Sequence, residues 1–197
     1  MSDRKLLDEC QEHRIALFPI GHMGLTAALG EFLTRRRLIS QQLDYRILLL
    51  GSMLPDVIDK PLGILLGIEG RNVAHSLLFS VSLTLFLVLP LVVQNIYPSR
   101  VARRLTNPLP ILTIGLWTHL LLDRIWQQPS IILWPFLGVG FEQATFDLFE
   151  LIAGLLDPYV LGGEVLGLGV MLLLALRYRL YKRSKFLRLL RSGLLHG

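Results

Sequence analysis

Cysteine is nearly absent from the chain: Cys10 stands alone among 197 residues, which excludes an internal disulfide and any zinc site built on several thiolates. Charge is scarce as well, with Asp, Glu, Lys and Arg making up 18% of the sequence. Residues 1–14 carry mixed charges and no compact apolar core, so no cleavable signal peptide is expected there. No repeat, low-complexity tract or linker interrupts the rest. The chain reads as a polar leader (1–14), a single membrane-embedded domain (15–180) and a basic tail (181–197).

What fills the sequence instead is aliphatic side chain. Hydrophobic residues make up 52% and the mean hydropathy is +0.53, too apolar for an ordinary soluble domain. Val73 to Val93 holds one ionisable group, His75, and Tyr159 to Leu176 holds one charge, Glu164. Each is long enough to cross hydrocarbon. Ile15–Leu33 and Leu109–Trp126 add two further helices, and Tyr45–Leu54 a shorter one that reaches Pro55. Pro61–Ile68 is expected to dip or fold back. Ser130–Phe141, broken by Pro135, Gly138 and Gly140 and carrying Trp134, reads as an interfacial or re-entrant loop. Phe146–Leu156 brings acids at Asp147, Glu150 and Asp157 roughly onto one helical stripe before Pro158 breaks the line. The expected fold is all-α: a multi-pass transmembrane bundle of about 5 membrane-embedded helices with short re-entrant or interfacial segments, in the inner (plasma) membrane.

The charges sort by side. Arg35–Arg37, Arg46, Arg100, Arg103, Arg104 and seven residues from Arg177 to Arg191 place 14 of the 20 basic residues on one face, beside only Glu31 and Asp44 of the 15 acids. The positive-inside rule makes that face cytoplasmic. Directly after a span, the basic tail reads as an anchor on anionic membrane lipid, and no recognition fold accompanies it that would make nucleic acid a partner.

Against this apolar background a few ionisable groups stand out, because charge at membrane depth is expensive unless it is paired or binds a cation. Gly51-Ser52-Met53-Leu54-Pro55-Asp56-Val57-Ile58-Asp59 supplies two carboxylates, and Arg71-Asn72-Val73-Ala74-His75-Ser76 follows. His119 and Asp123 lie four apart, hence on one helix face a turn from each other, a spacing from which one helix can hold one ion. Together with His22, these groups approach the extracytoplasmic side, opposite the basic face. Blander readings exist for each. Leu-Pro-Asp-x-x-Asp can cap a helix and turn the chain, His119 and Asp123 can satisfy each other inside a bundle, and His75 can mark a helix start.

In order and spacing, Gly51–Asp59, Arg71–Ser76, His119–Asp123 and Trp134-Pro135-Phe136, with His22 ahead of them, resemble the YdjM-like family, LexA-regulated membrane-bound proteins regarded as metal-dependent hydrolases. The His-x-x-x-Asp element is more loosely similar to part of the ligand set of zinc-dependent phospholipases C. The resemblance runs from about His22 to Phe136 and implies a metal hydrolase without naming its substrate.

Imidazole and carboxylate donors suit a divalent ion, most simply Zn2+. The expected metal ligands are Asp56, His75, His119 and Asp123, with His22 as an additional one. Asp59 is the expected catalytic base, with ligation or orientation of a histidine as its other roles. Arg71, one turn before His75, can steady a substrate phosphate or carboxylate. The expected activity is hydrolysis of an ester or phosphoester, lipid-like in character, at the extracytoplasmic interface. The alternative is a non-catalytic bundle, a scaffold or transporter-like protein with a structural metal site. Gly163-x-x-x-Gly167 offers a face for close helix approach, either from a second copy in a homo-oligomer or within one chain.

Overall fold

A computed structural model describes residues 18–39, 43–96, 108–141, 154 and 156–195. The leader with Cys10, the Arg100–Arg104 loop and the acids Asp147 and Glu150 lie outside the described residues. Within them the chain is all-α. The helices are α1 (Pro19–Arg35), α2 (Tyr45–Leu66), α3 (Leu77–Ile96), α4 (Leu109–Leu122), the single-turn α5 (Pro129–Ile132), α6 (Pro158–Arg177) and α7 (Arg183–Ser192). Short 3-10 turns at Val73–His75 and Ile125–Gln127 precede α3 and follow α4.

Two of these helices, α3 over Leu77–Gln94 and α6 over Pro158–Arg177, are long and apolar enough to cross a membrane, and only 6% and 11% of those stretches is buried within the chain. They are not the core helices of a soluble domain, which would be covered by protein. Their outward Leu, Val and Phe side chains form the broad apolar surface that lipid covers. α4 is a shorter apolar helix.

α2 departs from the sequence expectation. Instead of stopping near Pro55 and folding back after Pro61, it runs unbroken for 22 residues through both prolines to Gly67, which caps it with φ 65. A proline forfeits one backbone bond and crowds the carbonyl four residues earlier, a cost that packing along the whole helix outweighs. Ser52, Asp56, Asp59 and Gly63 are all buried on one stripe of it. The Leu-Pro-Asp-x-x-Asp stretch therefore lies mid-helix, aiming both carboxylates inward.

Close backbone contact sets the packing. A Cβ on Gly51 would lie 2.2 Å from the Leu112 carbonyl oxygen, and one on Gly115 would lie 2.2 Å from that of Leu48, so α2 and α4 touch backbone to backbone. α1 and α6 meet in the same way, since a Cβ on Gly24 would strike the Gly167 backbone and one on Gly21 would press on Gly163. The close approach anticipated at Gly163 and Gly167 is thus made by α1 of the same chain. Both glycines are buried.

The helices alternate in direction and sort the charges by end. At one end Glu31 accepts hydrogen bonds from Arg35, Tyr45 and Tyr178, joining α1, α2 and the residue after α6. Nearby, Arg46 donates to Asp44 and to the Leu190 and Arg191 carbonyls of α7. Burial alone would raise the pKa of Asp44, but its bonds from Arg46 outweigh that and lower it. At the other end lie the start of α1, the C-terminal half of α2, the turn before α3 and the end of α4. There the Tyr159 hydroxyl donates to the Leu122 carbonyl at 2.6 Å, tying α6 to one of the unpaired carbonyls that close α4.

Candidate metal centre

His22 from α1, Asp56 and Asp59 from α2, His75 from the 3-10 turn and His119 from α4, with Asp123 capping α4, converge at this second end. All six are buried. Four-residue spacing turns His119 and Asp123 to the same face, as the sequence requires, and the α2–α4 contact at Gly115 brings His119 against α2 one turn later. Its Nδ1 lies 2.6 Å from the Ser52 carbonyl. A carbonyl only accepts, so Nδ1 carries the proton and Nε2 presents a bare lone pair.

The second histidine is held in the same sense. His75 Nδ1 donates to Asp59 Oδ2 at 2.7 Å. The loop that carries His75 folds back over α2, and Asp59 also accepts the backbone N–H groups of Asn72, Ala74 and His75. One carboxylate thus fixes the loop, its ring and its tautomer.

The two free Nε2 atoms then face each other at 3.2 Å. Two bare lone pairs repel at that distance, so the pair calls for a cation between them, a proton or a metal ion. Carboxylates of Asp59 and Asp123, 2.7 and 3.5 Å from the His75 ring nitrogens, favour a cation at this place. Asp123 Oδ2 lies 3.5 Å from both Nε2 atoms. Asp56 Oδ1 lies farther out, 3.7 Å from His75 and 4.0 Å from His119, while its Oδ2 is held by Lys60 at 2.6 Å.

His22 completes the cluster from above. Its ring stacks on His119 with centroids 4.1 Å apart, and its Nε2 contacts the other oxygen of Asp123, Oδ1, at 3.0 Å. Its Nδ1 is buried with no hydrogen-bond partner. Two overlapping sets, His22–His119–Asp123 and Asp56–His75–His119, each gather donor atoms within 4.8 Å, close enough to hold a metal ion.

Arg71 reaches the same place: its Nε is 3.4 Å from Asp123 Oδ2, and its Nη2 is buried without a partner, a cost of about 1–3 kcal/mol or more for a charged group. The Arg71 charge and the contacts from His22 and His75 favour Asp123 as a carboxylate. Every expected site residue therefore lies in or against one cluster. Two contributors went unassigned in the sequence, the Ser52 carbonyl and Lys60. Lys60 follows Asp56 by four residues, a helical spacing that points to it, whereas the Ser52 group is a backbone carbonyl and leaves no side-chain signal.

Fold and cluster define an all-α membrane protein with a buried histidine–carboxylate centre able to hold a metal ion. The family model described as YdjM inner membrane protein matches residues 18–187, and the chain belongs to that family, an inner membrane protein. The match extends well beyond Phe136 and takes in α6. Searches of curated proteins and of solved structures give no match.

Proposed function

We propose that the protein is a membrane-embedded, metal-dependent hydrolase of esters or phosphoesters, with its site on the extracytoplasmic side. The observation that carries this reading is the 3.2 Å approach of His75 Nε2 to His119 Nε2 with both Nδ1 atoms already engaged. Tetrahedral zinc bonds nitrogen and oxygen at about 2.0–2.2 Å, which places neighbouring donors about 3.3–3.6 Å apart. The 3.2, 3.5 and 3.5 Å separations among His75, His119 and Asp123 fit one face of such a tetrahedron. Zinc is accordingly the favoured ion. Catalytic zinc sites hold three protein donors and keep a position for water, in keeping with three gathered donors and a more distant Asp56.

A bound divalent ion supplies Lewis acidity, making water a nucleophile near neutral pH and polarising the ester or phosphoryl oxygen. The chain's own groups arrange and protect that chemistry. Asp59 and the Ser52 carbonyl lock His75 and His119 with Nε2 inward, and His22 steadies Asp123 through its outer oxygen. Asp59 already accepts four hydrogen bonds, so we assign it to orienting His75 rather than to proton transfer. Asp56 Oδ1 is the better placed acceptor, with Lys60 holding the opposite oxygen.

In this reading α1, α2 and α4 are membrane-embedded beside α3 and α6, giving about five embedded helices. Clustering of Arg35, Arg46, Arg177 and α7 at the far end supports a cytoplasmic assignment for that end. The test is turnover by zinc-loaded, detergent-purified protein on a panel of carboxylic and phosphate esters, beside metal-depleted protein and His119→Ala. Hydrolysis by the loaded wild type alone is the expected result. Stoichiometric metal with no turnover on the panel would favour the non-catalytic bundle.

A further inference from the structure

Two cations stand against the centre, and one of them has an N–H group to spare. Arg71 is largely buried, with its side chain 13% exposed. Nε faces Asp123, and Nη2 is buried with no acceptor. Lys60 pairs with Asp56, one turn before it on α2, and is half exposed, at 50%. Its stem passes over Gly70, where a Cβ would lie 3.4 Å from Lys60 Cγ, directly beside the residue that begins the Arg71 segment. One stretch of chain thus carries an inner cation and a rim cation.

Charge balance points to what they await. Three carboxylates, Asp56, Asp59 and Asp123, meet Arg71 and Lys60. With neutral histidines, a divalent ion and an intact bound water, the loaded centre keeps one positive charge. A carboxylic ester or amide is neutral: its carbonyl oxygen can accept from the Arg71 N–H, but the charge is left unanswered. A phosphoryl group brings negative charge and acceptor oxygens that a guanidinium matches in plane. One turn beyond Lys60, Ile64 and Leu65 are 84% and 81% exposed, so the rim cation stands beside apolar surface suited to lipid.

We propose that Arg71 and Lys60 form an anion subsite, and that the substrate is a phosphate ester whose phosphoryl group bridges this pair and the metal-binding cluster. The proposal takes the word substrate from the hydrolase reading, but anion binding is measurable without turnover. The probe is inorganic phosphate, titrated calorimetrically into zinc-loaded full-length protein, with acetate as the comparison anion and zinc content measured in every variant.

Phosphate should bind at least about tenfold more tightly than acetate, and Arg71→Gln should weaken phosphate binding at least about tenfold, the worth of a charge-assisted hydrogen bond. Lys60→Met should weaken it severalfold with zinc content unchanged. Equal affinity for the two anions, or phosphate affinity unchanged in Lys60→Met and in Arg71→Gln, overturns the proposal. If Arg71→Gln loses zinc, Lys60→Met decides alone. A second arm adds nanodiscs of phosphatidylcholine with phosphatidate. Competition by phosphatidate supports a lipid headgroup, and phosphate binding without such competition supports a water-soluble ester in the same subsite. Phosphate selectivity without turnover on any ester sinks the hydrolase reading and leaves the subsite standing. Turnover of carboxylic esters by a protein indifferent to phosphate does the reverse.

Discussion

His75 and His119, from a loop and a helix 44 residues apart, point Nε2 at Nε2 across 3.2 Å, and each has its other nitrogen anchored on α2. A metal ion that binds only this folded arrangement stabilises it by mass action, about 2.7 kcal/mol at a free concentration 100 times the dissociation constant. Zinc should therefore raise the thermal unfolding midpoint of the wild type in detergent in a concentration-dependent way. His75→Ala should show little response. Equal zinc shifts in the two proteins would place the ion elsewhere.

Asp59→Asn separates orientation from proton transfer. Its carboxylate sets the His75 tautomer, and loss of such a partner typically weakens metal affinity 10–100-fold. Asp56→Asn should instead lower turnover on a responsive substrate by about 10²–10⁴-fold at saturating metal, the usual range for an acid–base group. Metal titrations and turnover of both variants check this. A reversed pattern, with Asp59→Asn impaired only in turnover, would return the base to Asp59.

Much of this centre was legible before the fold. Buried charge is costly, so Asp56, Asp59, His75, His119 and Asp123 stand out against aliphatic neighbours, and the four-residue step from His119 to Asp123 already implies one face. The course of α2 was harder to read. Pro55 and Pro61 signal breaks locally, and the helix continues because packing along its length, against α4 at Gly51 and against the returning loop at Gly63, outweighs them. The Ser52 contribution is a backbone carbonyl, which no side-chain pattern reveals. The division of labour between Asp59 and Asp56 depends on how the 67–76 loop folds back, a tertiary fact absent from spacing.

The glycine contacts give a packing prediction. Gly51→Val and Gly115→Val force α2 and α4 apart, because the first added carbon already meets backbone oxygen at 2.2 Å. Each should cost about 1–3 kcal/mol or more and weaken metal binding by moving His119 from Ser52. Gly162→Ala, where an added methyl meets nothing within 4 Å, should be tolerated. Thermal unfolding in detergent with parallel zinc titration checks all three.

Sidedness follows from the two ends of the bundle. After Cys10→Ser, an impermeant maleimide added to intact cells should label Val139→Cys, which is 76% exposed, and leave Ser192→Cys in α7 unlabelled until the cells are opened. Labelling of Ser192→Cys in intact cells would invert the topology and put the centre on the cytoplasmic side.

Elemental analysis of the purified, dialysed protein beside His119→Ala measures whether the His75–His119–Asp123 face holds a metal ion. After exposure to zinc, the wild type should retain about one ion per chain, and His119→Ala should retain almost none while staying folded, because apolar packing rather than the ion holds the helices. Equal metal content in the two proteins, or none in a folded wild type, would mean that this face is not a metal site.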